Sequence, residues 1–243
     1  IPIDLIVQDW QYWGKYGWNA MKFDEEHYPD PAAMVSDLHD MDMKLMLSVW
    51  SKVDGGSELG KQIQQRGYYI PGTTWVDFFN PEAAEFYWTN FSEKLLKPFK
   101  IDAWWQDATE PENDDLVGRR VNNQTIPGEV FRNVYPLLVS KTVYEGCRTD
   151  DPARRHMIFT RSAFPGIQRY GSVFWSGDVG NDWETLRRQI VSGLGLVSTG
   201  LPWWTYDAGG FFRPGNQHSN PGYIECMLRW IQAGTFLPLM RVH

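Results

Sequence analysis

Aspartates that each close a short apolar stretch are the residues of this chain best placed to do chemistry, namely Asp9, Asp107, Asp178 and Asp207. The clearest case is Asp107, which follows Trp104 and Trp105 and is followed by Glu110 and Glu112. An apolar run of this length indicates a β-strand, and in a parallel α/β protein the carboxyl ends of the strands are where catalytic groups collect. The alternative is that a strand-end aspartate caps a loop or pairs with an arginine.

Several kinds of catalytic site find little support in the sequence. The chain has five histidines, and none forms an HxH or HExxH motif, so no metal is predicted. Catalysis by serine or cysteine needs a histidine base, and no GxSxG motif occurs. Acids on separate strands, set among 13 tryptophans, fit glycoside hydrolysis best, because sugar rings present apolar faces to aromatic side chains. No cofactor is expected, and the expected partner is an oligosaccharide substrate.

The composition limits the other partners. The chain has 243 residues, of which 42% are hydrophobic and 22% charged, which is ordinary for a globular domain. Its net charge is −7 and it has no block of lysine and arginine, so a nucleic-acid partner is not expected. No apolar run reaches transmembrane length. The two cysteines leave the redox compartment and the localisation open, and nothing in the sequence sets the oligomeric state.

The elements that must position these acids alternate between strand and helix, which predicts a parallel sheet covered by helices. Strands are expected to begin near residues 1, 44, 101, 156, 172 and 201. No GxGxxG follows the first strand, so a dinucleotide-binding fold is disfavoured. Polar groups end almost every strand, as in a (β/α)8 TIM barrel, and Lys52 is one of them without an assigned role. Six strands do not close such a barrel, so either strands are missed or the barrel is incomplete.

Helix signals separate the predicted strands. Asn80-Pro81 and Asn220-Pro221 are helix starts with Asn as the N-cap; the first helix should run to about Leu96, with Pro98 as its stop, and the second to about Gly234. Helices are also expected over residues 32–42, over 128–147 with a division at Pro136, and from near Asp182, where Leu186, Ile190, Leu194 and Val197 share one face. Residues 113–127 are interpreted as a polar excursion over the strand ends, and 55–74 as a loop with one short helix.

Several segments resemble, in order, those of the family 31 glycoside hydrolases. The stretch Asp102-Ala103-Trp104-Trp105-Gln106-Asp107-Ala108-Thr109-Glu110-Pro111 is similar to the nucleophile region of that family. The other matching segments are Ile1-Pro2-Ile3-Asp4 through Asp9, Thr160-Arg161-Ser162, Trp175-Ser176-Gly177-Asp178, Asp207-Ala208-Gly209-Gly210-Phe211 and Arg241-Val242-His243. One such match is weak evidence, but this series in the family's order is strong.

The resemblance implies a role for each matched residue. Asp107 matches the nucleophile and Asp178 the general acid/base of a retaining mechanism. Positions that line or bind the sugar are matched by Asp9, Arg161, Trp175, Asp207, Phe211 and His243, with Trp10 beside them as a residue that could restrict space at the C5 substituent. Glu110 and Glu112 are the competitors for the catalytic role, ranked lower because only Asp107 ends a strand.

The specificity and the extent of the domain are also expectations from the resemblance. Ala108 departs from the Met or Ile of the starch-cleaving α-glucosidases, so the variant is more similar to the bacterial α-xylosidases acting on xyloglucan-type oligosaccharides. An α-glucosidase is the alternative, and an inactive carbohydrate-binding or scaffold fragment is the alternative of another class. Residues 1–243 are expected to be a partial barrel that begins past the family's first strand and stops before its last, without the flanking β-domains.

Overall fold

The computed structural model describes residues 3–114 and 116–243. The first two residues of the predicted first strand lie outside this range, as does Asp115 at the start of the polar excursion. The chain divides into two compact units, Ile1–Gly171 and Ser172–His243. Each unit alternates strands with helices, so the predicted α/β class is confirmed within both.

The first unit is built around parallel strands. Its elements in chain order are β1 (Leu5–Gln8), α1 (Pro31–Asp40), β2 (Lys44–Trp50), α2 (Glu58–Arg66), α3 (Pro81–Phe91), α4 (Lys97–Phe99), β3 (Ala103–Asp107), β4 (Arg120–Val121), β5 (Ile126–Pro127), α5 (Gly128–Phe131), α6 (Tyr135–Asp150) and β6 (Met157–Thr160). Strands β1, β2, β3 and β6 pair in that order, all parallel. Trp50 on β2 lies opposite Asp107, the last residue of β3. The ends of neighbouring strands therefore meet at one edge, as the sequence predicts.

The apolar runs form the strands because almost every side chain in them can be buried. Six of the seven residues of β2 are buried, and four of the five residues of β3. Burial on both faces is typical of parallel strands covered by helices. Trp104 is completely buried and its ring lies 4.3 Å from that of Phe91 on α3, in an edge-to-face arrangement. The face of β3 toward the helices is therefore aromatic core.

Most helix boundaries follow the predicted caps. The Asn80 side chain accepts a hydrogen bond from the Glu82 N–H (3.0 Å), and Pro81 begins α3. The predicted division near Pro136 is found, because a 3-10 turn over Arg132–Val134 separates α5 from α6. The short helix expected in the 55–74 loop is α2, which Ser57 caps by accepting a hydrogen bond from the Gly60 N–H (2.9 Å).

The prediction that Pro98 stops the first Asn-Pro helix is wrong by a few residues. A π-helical turn over Ser92–Leu96 follows α3, and α4 continues to Phe99 with Pro98 inside it. The Lys97 N–H donates to the carbonyl of Ser92 in the wider π pattern. Pro98 has no N–H to donate, but the helical backbone continues past it, because the Lys100 N–H still donates to the carbonyl of Leu96 (3.0 Å).

The polar excursion contains a feature that the sequence did not indicate. The strands β4 and β5 pair antiparallel as a small hairpin. The turn of the hairpin is fixed to the segment before α3, because the Asn122 N–H donates a hydrogen bond to Asp77 Oδ2 (2.7 Å). Two-residue strands leave no detectable periodicity, so the sequence predicted only a loop.

The carbonyl oxygen of Trp50, at the end of β2, accepts two hydrogen bonds. One comes from the Asn19 side chain (2.5 Å) and one from the Tyr87 hydroxyl (2.7 Å). Asn19 belongs to the loop after β1, whereas Tyr87 belongs to α3. Both donors are buried, so the loop and the helix are tied to the same strand end.

The second unit contains β7 (Ser172–Trp175), α7 (Trp183–Ser198), β8 (Trp204–Thr205) and α8 (Pro221–Gly234). β7 and β8 are parallel, and Phe174 lies opposite Trp204. A Cβ on Gly193 would lie 1.6 Å from the Trp204 ring, so α7 packs tightly on β8 only because residue 193 is glycine. Of the predicted apolar face of α7, Leu186 is buried whereas Leu194 is 65% exposed.

Candidate active site

Asp107 occupies the position that the sequence predicts, at the carboxyl end of β3. Its Oδ1 accepts a hydrogen bond from the N–H of the next residue, Ala108 (2.8 Å). Ala108 is completely buried and has a φ of 45°, which is the left-handed region that residues other than glycine rarely adopt. The positive φ of Ala108 turns the chain sharply directly after the acid.

Arg161, just beyond β6, links Asp107 to the two glutamates that follow it. Its Nη1 lies 3.5 Å from Asp107 Oδ1. Its Nε and Nη2 contact Glu110 Oε1 at 2.7 and 2.6 Å, and its Nη2 contacts Glu112 Oε1 at 2.7 Å. The structure thus brings together four of the charged residues that the sequence singled out.

The electrostatics of this cluster favour a permanently charged arginine. Burial opposes the charge, but the hydrogen bond and charge of Glu110, together with the charge of Asp107, raise the pKa of Arg161 above its ordinary value. The alternative interpretation of a strand-end aspartate, that it pairs with an arginine, therefore describes a contact that Asp107 does make, and both glutamates contact the same arginine. Glu110 and Glu112, the competitors for the catalytic role, both contact Arg161, as Asp107 does. Asp107 differs from them in being the last residue of the strand.

The loop after β1 brings Asp9 and Trp10 next to a group of tryptophans. The Trp10 N–H donates to Asp9 Oδ1 (2.7 Å). The Trp10 ring is 44% exposed and its centroid lies 5.0 Å from that of Trp18, which in turn lies 4.8 Å from Trp50. A cavity of about 490 Å³ is lined by Trp10, Gln11, Trp13, Gly14, Gly17, Trp18, His27 and Tyr28. An aromatic wall of this kind suits the apolar face of a sugar ring.

In the second unit, Trp175 and Asp178 lie at the end of β7. Trp175 is the last residue of the strand and is 3% exposed. Asp178 follows Gly177, which has a φ of 80° and so allows the chain to turn sharply. The next carbonyl, that of Val179, accepts hydrogen bonds from the N–H groups of Phe211 (3.0 Å) and Phe212 (3.2 Å). The loops that carry Asp178 and Phe211 are therefore joined through their backbones.

Asp207 is the most deeply buried of the predicted site residues, at 1% exposure, and its Oδ1 lies 2.8 Å from Arg241 Nη1. Burial raises the pKa of Asp207 and the charge of Asp178 adds to this, whereas Arg241 and His243 oppose the shift. The His243 ring lies 5.0 Å from that of Phe211. Asp207, Phe211 and His243 therefore cluster in one place, as the resemblance implies.

Three residues of these clusters had no predicted role. Arg241 pairs with Asp207, and its place in the Arg241-Val242-His243 motif was the signal that could have identified it. Trp18 packs on Trp10 and Trp50 packs on Trp18, but the spacing of these residues in the sequence does not predict the contacts. Lys52, unassigned in the sequence, holds its amine 5.2 Å above the Trp75 ring.

Residues 3–114 and 116–243 contain neither a candidate metal-ion cluster nor a candidate membrane-spanning helix. In this part of the chain no group of three or more histidine, cysteine, aspartate or glutamate side chains is arranged to hold a metal ion. Over the same residues, none of the helices has both the length and the apolar character needed to cross a membrane.

Comparison with known proteins identifies the family. An alpha-xylosidase from Saccharolobus solfataricus is 45% identical over 248 residues, covering 100% of this chain and 33% of that protein. The structure of a GH31 alpha-xylosidase from a soil metagenome, complexed with xylose, has a TM-score of 0.88 at 31% identity and covers 100% of this chain and 37% of that one. The GH31 alpha-xylosidase from Xanthomonas citri has a TM-score of 0.89 at 33% identity and covers 99% and 29%.

The chain spans between a third and a half of the length of the curated relatives it matches first. The family model for the TIM-barrel domain of the glycosyl hydrolases of family 31 matches residues 1–243. The parallel strands, the order of the motifs and the acid at the end of β3 agree with that match. This chain belongs to glycosyl hydrolase family 31, in the TIM-barrel domain of that family.

Proposed function

We propose that this chain is the catalytic barrel portion of a retaining, exo-acting glycoside hydrolase that removes terminal α-xylosyl residues from xyloglucan-type oligosaccharides. The observation that carries the proposal is the setting of Asp107. Its carboxylate ends β3, accepts the Ala108 N–H and lies 3.5 Å from Arg161. A carboxylate oriented in this way by a backbone donor and a fixed cation is suited to attack an electrophilic carbon.

The reaction assigns one role to each of two acids. Asp107 attacks the anomeric carbon of an α-linked sugar while Asp178 donates a proton to the leaving oxygen. A β-glycosyl-enzyme forms, and Asp178 then takes a proton from the water that hydrolyses it, with net retention of configuration. The remaining matched residues are proposed to bind the sugar, namely Asp9, Trp10, Arg161, Trp175, Asp207, Phe211 and His243.

Trp10 supports xylose rather than glucose as the substrate. Its ring is half exposed beside Asp9 and is backed by Trp18, so it is not readily displaced. Xylose lacks the hydroxymethyl group at C5, and a rigid indole at that place would reject glucose sterically. The relative from Saccharolobus solfataricus carries the name alpha-xylosidase, which favours the same assignment.

A comparison of turnover on an aryl α-xyloside and an aryl α-glucoside tests the proposal. The wild type should prefer the xyloside, and Trp10→Ala should shift the ratio toward the glucoside by about 10-fold, the discrimination that a small apolar group commonly gives. Trp13→Ala removes a ring of the same loop that is 3% exposed and also packs on Trp18 (5.4 Å between ring centroids), so an equal shift of the ratio in that variant would show that loosening of the loop, and not space at Trp10, changes the preference. Equal wild-type rates on both substrates would make α-glucosidase the better assignment.

A further inference from the structure

We propose that Glu110 is a positioning residue, which holds the guanidinium of Arg161 in place so that its Nη1 faces the carboxylate of Asp107. This inference rests on the proposed function, because it concerns the nucleophile of that reaction. It gives Glu110 a part in the site that is different from the catalytic role for which it competes with Asp107.

The first support is the planarity of the guanidinium group. Glu110 Oε1 contacts both Nε and Nη2 of Arg161, at 2.7 and 2.6 Å, and these two nitrogens form one edge of the plane. Because the group is rigid and flat, holding that edge also fixes the direction of Nη1. Nη1 is the nitrogen that lies 3.5 Å from Asp107 Oδ1.

The second support is that Glu110 is itself anchored through both its side chain and its backbone. Its Oε2 accepts a hydrogen bond from the Ser162 hydroxyl, next to Arg161 in the chain. Arg132 donates to the carbonyls of Glu110 (3.4 Å) and Pro111 (2.9 Å), which fixes the backbone that carries the side chain. The preceding Thr109 hydroxyl is 2.8 Å from that of Thr160, at the end of β6, and both are buried.

The two neighbouring strands are thus joined at their carboxyl ends through residues 109–111 and 160–162. Glu112 makes a weaker connection, because it contacts Nη2 of Arg161 (2.7 Å) whereas Glu110 contacts both Nε and Nη2, although the two glutamate side chains are similarly exposed, at 37% and 33%. Loss of Glu110 would leave Arg161 able to turn away from Asp107. A misplacement of about 1 Å in a reacting group can cost about 10²-fold in rate.

The experiment compares Glu110→Ala with Glu110→Gln in the longest form of the protein that contains residues 1–243. A 5-fluoro-α-xylosyl fluoride, with its glucosyl counterpart, measures the rate at which the covalent glycosyl-enzyme forms, and peptide mass spectrometry identifies the labelled residue. Glutamine can still accept from both nitrogens of Arg161, and the Ser162 hydroxyl can turn to accept from the new amide. We expect a loss of about 10²-fold for alanine and of at most about tenfold for glutamine.

A double-mutant cycle tests whether Glu110 acts through Arg161. In an Arg161→Lys background the planar contact is already lost, so Glu110→Ala should change the trapping rate by less than about threefold. Glu112→Ala is the graded control and should reduce the rate less than Glu110→Ala does, since Glu110 contacts both Nε and Nη2 of Arg161 whereas Glu112 contacts Nη2. The thermal unfolding midpoint of each variant separates a loss of fold from a loss of positioning.

Each outcome decides the question. Equal losses for Glu110→Ala and Glu110→Gln, or additive effects in the Arg161→Lys background, would overturn the positioning role while trapping on wild-type Asp107 upheld the proposed function. A label on Glu110 would make Glu110 the nucleophile and refute both. Absence of trapping in the wild type would remove the proposed function and the positioning role with it. If Glu110→Ala does not fold, Ser162→Ala, which loosens Glu110 alone, should still slow trapping, and an unchanged rate would count against the proposal.

Discussion

The two ends of β3 each carry an aspartate paired with an arginine, yet the two acids are set very differently. Asp102, just before the strand, accepts the Leu45 N–H (2.9 Å) through Oδ2, which also lies 2.8 Å from His39 Nε2. Its Oδ1 contacts Arg154 at 3.3 Å. Asp107, the last residue of the strand, has its cation in common with two glutamates.

The comparison shows that an acid–arginine pair is not by itself a sign of function. Asp102 connects α1, β2 and the segment before β6, so its contacts hold elements together. Asp107 accepts a hydrogen bond from the Ala108 N–H. Its arginine, Arg161, is also held by Glu110 and Glu112, which belong to the loop after β3. In barrels of this kind, the amino-terminal face is commonly associated with stability and the carboxyl-terminal face with catalysis. The following predictions test that division.

Replacement of the two aspartates by asparagine should separate activity from stability most clearly. Asp107→Asn removes the proposed nucleophile and should lower turnover of an aryl α-xyloside by at least about 10³-fold, with little change in the unfolding midpoint. Asp102→Asn should keep turnover within about threefold at a temperature where the variant is folded. If Asp107→Asn kept full activity, the nucleophile would have to be sought at Glu110 or Glu112.

Asp178 extends the comparison to a strand end of the second unit. Asp178→Ala should slow hydrolysis of xyloglucan-type oligosaccharides by roughly 10²–10⁴-fold, the usual contribution of general acid catalysis. An aryl xyloside with a good leaving group needs no proton in the first step, so that step should be spared. Equal losses on both classes of substrate would argue against the acid/base role.

Asp102→Asn should have its main effect on stability. Asparagine can still accept from the Leu45 N–H, but the charge that faces Arg154 and His39 is lost. The side chain of Asp102 is 9% exposed, so a loss of about 1.5–3 kcal/mol in the free energy of unfolding is expected, the range for hydrogen bonds to charged groups. Urea denaturation of Asp102→Asn beside Asp107→Asn measures it, and a larger loss in Asp107→Asn would reverse the comparison.

The smallest effect is expected at an exposed acid. Hydrogen bonds from Lys15 and then from Tyr16 lower the pKa of Glu25 to about 2. A lowered folded-state pKa contributes stability above the unfolded value near 4.5, and this contribution is lost as the pH falls through about 2. The difference in unfolding midpoint between wild type and Glu25→Gln should be small at pH 7, because the pair is exposed, and should shrink below pH 4.5. A difference that persisted at pH 2 would contradict this assignment.

The sequence predicted the strands well because each is an apolar run with a clear polar end. The acid at position 107 and the series of motifs around it are visible in the sequence alone, and their order is that of family 31. Longer-range contacts were out of reach, because Arg161 and Glu110 are brought together by the pairing of β3 with β6 and not by their spacing. The exposure of the apolar face of α7 could not be predicted either, since periodicity shows which residues share a face but not what covers that face.

The two hydrogen bonds accepted by the carbonyl oxygen of Trp50 have a consequence for hydrogen exchange. The loop after β1 and helix α3 both donate to that oxygen, and the Asp54 N–H donates to the carbonyl of Trp18 (2.9 Å) in the same loop. Opening of the aromatic loop would therefore break the buried hydrogen bond from Asn19 to the end of β2 and the bond from Asp54 to Trp18. Amide protons of the loop and of the end of β2 should exchange together, at a rate set by one cooperative opening. The aromatic wall that carries Trp10 would then belong to the slowly exchanging part of the molecule, although it is formed by a loop.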